Sequence, residues 1–212
     1  MPTNSTRYFS NFSRSSRRPD DALDVGETGA EVRGNRGSRP NLLQDDPVRL
    51  LLLADTHVPR RARDLPRQVW EEVAQADVVF HAGDWVTPDL LDNLTRKASR
   101  LVACWGNNDG PVLRSRLPER ADVLLEGLHF TVVHETGAAA GREARMSRCY
   151  PDSDVLIFGH SHIPWDTTTS TGLRLLNPGS PTDRRRQPAC TYMTATADGG
   201  QLTDVVLHRL ER

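Results

Sequence analysis

Val48-Arg49-Leu50-Leu51-Leu52-Leu53-Ala54-Asp55-Thr56-His57 is an apolar run with a single Arg, closed by an acid and an imidazole two residues apart. A continuous apolar run of this length suits a central strand buried on both faces of a sheet. The same grammar recurs along the chain. Val78 to Ala82 leads to Gly83-Asp84, Leu101 to Trp105 to Gly106-Asn107, Leu128 to Val133 to His134, and Val155 to Phe158 to Gly159-His160-Ser161-His162. Loops at the carboxyl ends of strands in open α/β sheets converge on one crevice, so residues distant in sequence can meet there.

Asp55, His57, Asp84, Asn107, His134, His160 and His162 together form a ligand inventory for a hydrolytic metal site. Imidazole, carboxylate and one amide without thiolate suit manganese, iron, zinc, nickel or cobalt. More than four protein ligands for a tetrahedral ion point to two divalent ions sharing a carboxylate, ~3.5–4 Å apart in enzymes of this type. At the end of an extended strand, Asp55 and His57 at i and i+2 would project to one side and grip one ion, and His160 and His162 would repeat that geometry. Singly, each residue has a dull explanation: a strand-end Asp is usually a cap or turn residue, and a lone His a satisfied polar group. The ordered set carries the specificity. His129 and His208 read as ordinary surface residues, and His81 as a neighbour of the site.

The remaining pattern predicts the frame. Asp64 and Pro66 open a helix with Val69, Trp70, Val73 and Ala74 on one face. Thr87-Pro88-Asp89 reads as an N-cap with Pro at the first helical position, followed by Leu90, Leu91 and Leu94. Strand-helix-strand-helix-strand defaults to parallel pairing and right-handed crossovers. Beyond it, strands are expected at 123–125, 128–133, 155–158, 163–169, 173–176, 191–197 and 202–207, with Glu126-Gly127, Thr171-Gly172 and Gly199-Gly200 as turns and a short helix at 143–149. Two mixed sheets packed face to face with helices outside, a four-layer α/β sandwich, is the economical architecture. Residues 47–212 form this domain. Residues 1–46, rich in Ser, Arg, Asn, Gly and Asp, read as a disordered tail, whose Arg- and Ser-rich start is weighed and set aside as a transit peptide.

Residues 48–208 resemble a calcineurin-like metallophosphoesterase, and within that superfamily the small prokaryotic phosphodiesterase branch. The blocks that carry the resemblance are Asp-x-His at 55–57, Gly-Asp at 83–84, Gly-Asn-x-Asp at 106–109, His134, Gly-His-x-His at 159–162 and Asn-Pro-Gly-Ser at 177–180. The resemblance implies a di-metal phosphoesterase that hydrolyses phosphodiesters with hydroxide derived from metal-bound water. It assigns one ion to Asp55, His57, Asp84 and His162, and the other to Asp84, Asn107, His134 and His160. Asn107 and Asn108 would also meet substrate. Two departures stand out. Many relatives have His, thought to protonate the leaving oxygen, where this chain has Asn108, and many have His-Gly-His where it has His134-Glu135-Thr136. An amide is no general acid near neutral pH, so esters with good leaving groups are expected. Other readings are a phosphomonoesterase, a nucleotide hydrolase, or a protein-binding scaffold with weak catalysis, the use thought to be made of the fold by a retromer subunit.

Composition excludes other classes. A net charge of -1 over 212 residues offers no footprint for nucleic acid. No apolar stretch approaches the ~20 residues of a membrane span, so a membrane role is not expected. Three separated cysteines, Cys104, Cys149 and Cys190, form neither a disulfide framework nor a thiolate zinc site and suit the cytoplasm. Arg184-Arg185-Arg186 could reach a substrate phosphate but read first as a solvated charge run. A homo-oligomer is compatible with all of this.

Overall fold

The computed structural model describes residues 46–211, so all but the last residue of the expected tail lies outside the described residues. The first half runs β1 (Val48–Leu53), α1 (Arg67–Gln75), β2 (Val78–Ala82), α2 (Pro88–Lys97), β3 (Leu101–Cys104) and a short α3 (Pro111–Arg116). The second half runs β4 (Arg120–Leu125), β5 (Leu128–Val133), α4 (Arg142–Cys149), β6 (Val155–Ile157), β7 (Trp165–Thr168), β8 (Arg174–Asn177), β9 (Cys190–Asp198) and β10 (Gln201–Leu210).

The side chains of β1 alternate between two cores, as the period of a strand requires. Leu50 and Leu52, continued by Ala54, face the second sheet, where they meet a core that includes Phe80, Phe130, Val132 and Ile157. Leu51 and Leu53 face the helices and pack with Val69, Val73, Leu90, Leu91 and Leu94. Parallel pairs β1–β2 and β2–β3 and antiparallel pairs β1–β9 and β9–β10 give the order β10-β9-β1-β2-β3. The second sheet, β4-β5-β6-β8-β7, is parallel through β5, β6 and β8 with antiparallel edges. Met146 of α4 covers its outer face with Val133, Leu156, Phe158 and Leu175. Helices, sheet, sheet, helix are the expected four layers.

Local differences have local reasons. Thr87 occupies the cap position of α2, but its hydroxyl donates to the Val58 carbonyl, 3.4 Å away, and makes no cap bond. α3 was not foreseen, because six residues with Leu113 alone buried carry no helical repeat. Glu126-Gly127, with φ of 48° and 77°, is the tight β4–β5 turn. His129 and His208 are not simple surface groups. His129 Nδ1 donates to the Asp152 carbonyl, 2.7 Å away, while His208 stacks on Tyr192 and reaches the Thr194 hydroxyl at 2.8 Å.

Candidate metal centre

Five parallel strands, β1, β2 and β3 of one sheet and β5 and β6 of the other, end on the seven residues singled out above. β8 contributes a sixth end, Asn177 to Ser180. The Ser180 hydroxyl donates to the Asp55 carbonyl at 2.7 Å, and Asn177 Nδ2 to the Gly159 carbonyl at 2.9 Å, so this block ties the Asp55 and His160 loops together. Crowding fixes the glycines. A Cβ at Gly83, where φ is +83°, would lie 2.8 Å from Gly106 N and from His134 Nδ1, and one at Gly159 would lie 2.9 Å from Asp55 Oδ2.

Asp55 with His57, and His160 with His162, do not project to one side as i and i+2 residues of an extended strand. The residues lie beyond their strands and are left-handed, with φ of 53°, 45°, 68° and 58°, and Asp84 joins them at 62°. Non-glycine residues in this region are uncommon and concentrate at functional sites. It is this sharp turning, and not the strand pleat, that brings the side chains inward. His160 and His162 also fall in separate groups instead of gripping a common point.

The first group holds His57 Nε2 and His162 Nε2, 3.1 Å apart, with Asp84 Oδ2 3.5 Å from His57 and Asp55 Oδ1 3.5 Å from His162. The second holds Asn107 Oδ1, 2.8 Å from His134 Nε2 and 2.9 Å from His160 Nδ1, with Asp84 Oδ1 3.4 Å from His134. Asp84 thus turns one carboxylate oxygen to each group. His162 Nδ1 donates to the Asp183 carbonyl at 2.6 Å and His134 Nδ1 to the Ala82 carbonyl at 2.7 Å, which leaves both Nε2 lone pairs facing inward.

Burial keeps these rings neutral: it lowers the pKa of His57 and His134 and takes that of His162 down to about 4. Burial, reinforced by Asp84, pushes Asp55 well above the usual carboxylate range, and its Oδ2 is buried without a hydrogen-bond partner. An orphaned carboxylate oxygen among inward lone pairs is chemically incomplete, and a cation is what completes it. The donor set therefore fits divalent metal.

Supporting residues named in the sequence take roles that only the structure shows. Asp109 is buried and accepts from the backbone N–H groups of Asp84, Val86 and Gly106 at 3.1, 2.8 and 2.7 Å, joining two of the loops. Asn108 donates to both Asp84 oxygens, from its backbone at 2.8 Å and from Nδ2 at 2.6 Å. His81 is buried, stacked on Trp85 and 3.1 Å from the Thr56 hydroxyl. Of the three arginines, Arg184 is bound to the Gln187 carbonyl at 2.7 Å, and Arg186 is exposed. Arg185 donates to the His160 carbonyl at 3.1 Å, and its charge acts on Asp55, His57 and His162.

The calcineurin-like phosphoesterase superfamily domain matches this sequence over residues 48–200. The chain belongs to this superfamily. A probable metallophosphoesterase of Methanocaldococcus jannaschii is 35% identical over 132 residues, covering 62% of this chain and 67% of the relative. A Thermotoga maritima protein solved by solution NMR is 31% identical, with a TM-score of 0.62 over 77% of this phosphoesterase and 99% of the other chain. Vps29 of Chaetomium thermophilum, at 18% identity and a TM-score of 0.65 over 77% of this chain and 93% of its own, shares the fold. Membership makes the protein a metallophosphoesterase-family hydrolase with candidate metal ligands, and none of the helices among its described residues is long and apolar enough to cross a membrane.

Proposed function

We propose that the protein is a di-metal phosphodiesterase. The observation that carries this reading is Asp84, whose two oxygens face two separate groups of inward lone pairs. Asp55, His57, Asp84 and His162 would hold one divalent ion, and Asp84, Asn107, His134 and His160 the other. Such ions lower the pKa of a bound water and neutralise charge on phosphoryl oxygens.

The chain's own residues do the rest. His134 and His162 are oriented by the Ala82 and Asp183 carbonyls, so their lone pairs stay directed at the site. Asn107 and His160, both exposed, form the side open to a phosphate ester. Glu135 Oε1 lies 3.6 Å from His160 Nδ1, and a carboxylate there repels a dianionic monoester about twice as strongly as a monoanionic diester. Asn108 supplies no proton to a leaving oxygen, which favours leaving groups stable as anions.

Turnover of bis(p-nitrophenyl) phosphate beside p-nitrophenyl phosphate tests the proposal, with chelated protein reloaded with manganese, nickel or zinc. Metal-dependent hydrolysis favouring the diester is expected. Absence of turnover with every metal, or faster turnover of the monoester, refutes it.

A further inference from the structure

We infer that the cleft beside Asn107 and His134 binds the nucleobase of the nucleotide that stays on the phosphate, so that the esters hydrolysed are nucleotide diesters whose other arm leaves. The inference rests on the phosphodiesterase reading and names its substrate class. The cleft has a volume of about 450 Å³, within the ~300–1,000 Å³ of small-molecule sites, and reaches the second ligand group through those two residues. Its aromatic walls are Trp105 and Tyr150, both half-buried, with Val133 behind them. Planar bases stack on such side chains, with little preference among bases.

Charge narrows the ligand further. Glu119 and Glu135 line the cleft. The cations nearby are already partnered. Arg120, also in the lining, lies over the Tyr150 ring, 5.1 Å from its centroid, and is paired with Asp122 through Nε and Nη2, each at 2.7 Å. Arg114 lies over the Trp105 ring, 4.2 Å from its centroid, and donates from Nε to the Asp109 carbonyl at 2.8 Å. A second phosphate would meet acids with no free cation among these residues. A flat, uncharged group bearing N–H or O–H donors meets two aromatic rings, each with a partnered guanidinium over one face, and two carboxylate acceptors, and a nucleoside has that chemistry. A phosphate at the metal ligands would then extend its nucleoside into the cleft.

Calorimetric titration of the manganese-loaded full-length protein with adenosine 5′-monophosphate and with ribose 5-phosphate separates base from phosphate and sugar. The base-bearing ligand is expected to bind at least about tenfold tighter, as base–aromatic stacking supplies. Tyr150→Ala should remove most of that ratio while leaving ribose 5-phosphate affinity unchanged, and Trp105→Leu should act in the same direction. Equal affinities in the unmodified protein overturn the subsite, as does a Tyr150→Ala effect equal on both ligands. Metal-dependent turnover of bis(p-nitrophenyl) phosphate accompanied by equal affinities defeats the subsite alone. A tenfold ratio in a protein with no turnover defeats the phosphodiesterase reading and keeps the base-binding cleft.

Discussion

The two ligand groups joined by Asp84 differ in their surroundings. Asp55, His57 and His162 are all buried, whereas in the second group only His134 is, at 4% exposed; the His160 side chain is 49% exposed and Asn107 is also at the surface. The first group is built into the β1 and β6 ends and braced by Ser180 and Asp183; the second opens onto the cleft. On the proposed reading the difference is a division of labour: the buried group would retain a cation, and the group with an open side would present one to substrate.

Separating the groups by mutation gives the largest expected effect. Asp84→Ala should lower diester turnover by more than the ~10–100-fold that outer partners of a metal site typically contribute, and should remove both ions. His160→Ala should lower turnover comparably yet retain one tightly bound ion per chain by elemental analysis. Loss of both ions from His160→Ala would show that the groups are not independent. A smaller effect should come from Asn108→His on the open side. If a missing general acid limits poor leaving groups, alkyl diesters should gain about tenfold or more while aryl diesters change little. A uniform change on both would show that releasing Asp84 from the Asn108 amide dominates.

Stability probes the buried side. Asp55 is a carboxylate held where its charge is disfavoured, so Asp55→Asn should raise the melting temperature of the chelated protein, by about 2–4 °C per kcal/mol relieved. It should also shrink the stabilisation on adding metal, about 2.7 kcal/mol at a hundred times Kd for an intact site. The smallest expected effect is a pH slope, measured in that same variant so that the opposing Asp55 contribution is absent. His162 titrates at about 4 when folded and ~6.5 when unfolded. Between those values the unfolded chain binds the extra proton. Stability is therefore full above ~6.5 and falls as pH drops toward 4, by up to ~1.4 kcal/mol per unit for one such group. His57 and His134, lowered by burial too, add to the slope, and Asp109, raised by burial, opposes it, so urea midpoints at pH 7, 6 and 5 are compared with and without His162→Ala; an equal slope in both would show that His162 is not its source.

Much of the frame was legible because it depends on short-range pattern. β1 is apolar at every position after Arg49, and that alone places it between two layers. The ligand residues were legible as an ordered set, since each follows such a run. What stayed hidden depended on three-dimensional juxtaposition. Asp109 was legible as the end of the Gly-Asn-x-Asp block, but not that three amides from two loops point at it, and the Asp183 carbonyl that orients His162 has no side-chain signature at all. α3 was missed because its length is below what periodicity can register.

The sequence by itself determined the two-faced strands, the strand-helix alternation and the identity of the seven polar groups at strand ends, because side-chain period and solvent preference act locally. Only the tertiary structure decided how those seven divide. Left-handed turns at Asp55, His57, Asp84, His160 and His162 aim the side chains, and the packing of two sheets sets which lone pairs meet. Asn107 and His160 then stand exposed while His134 and the Asp55 group are buried, a matter of distances that no linear pattern encodes.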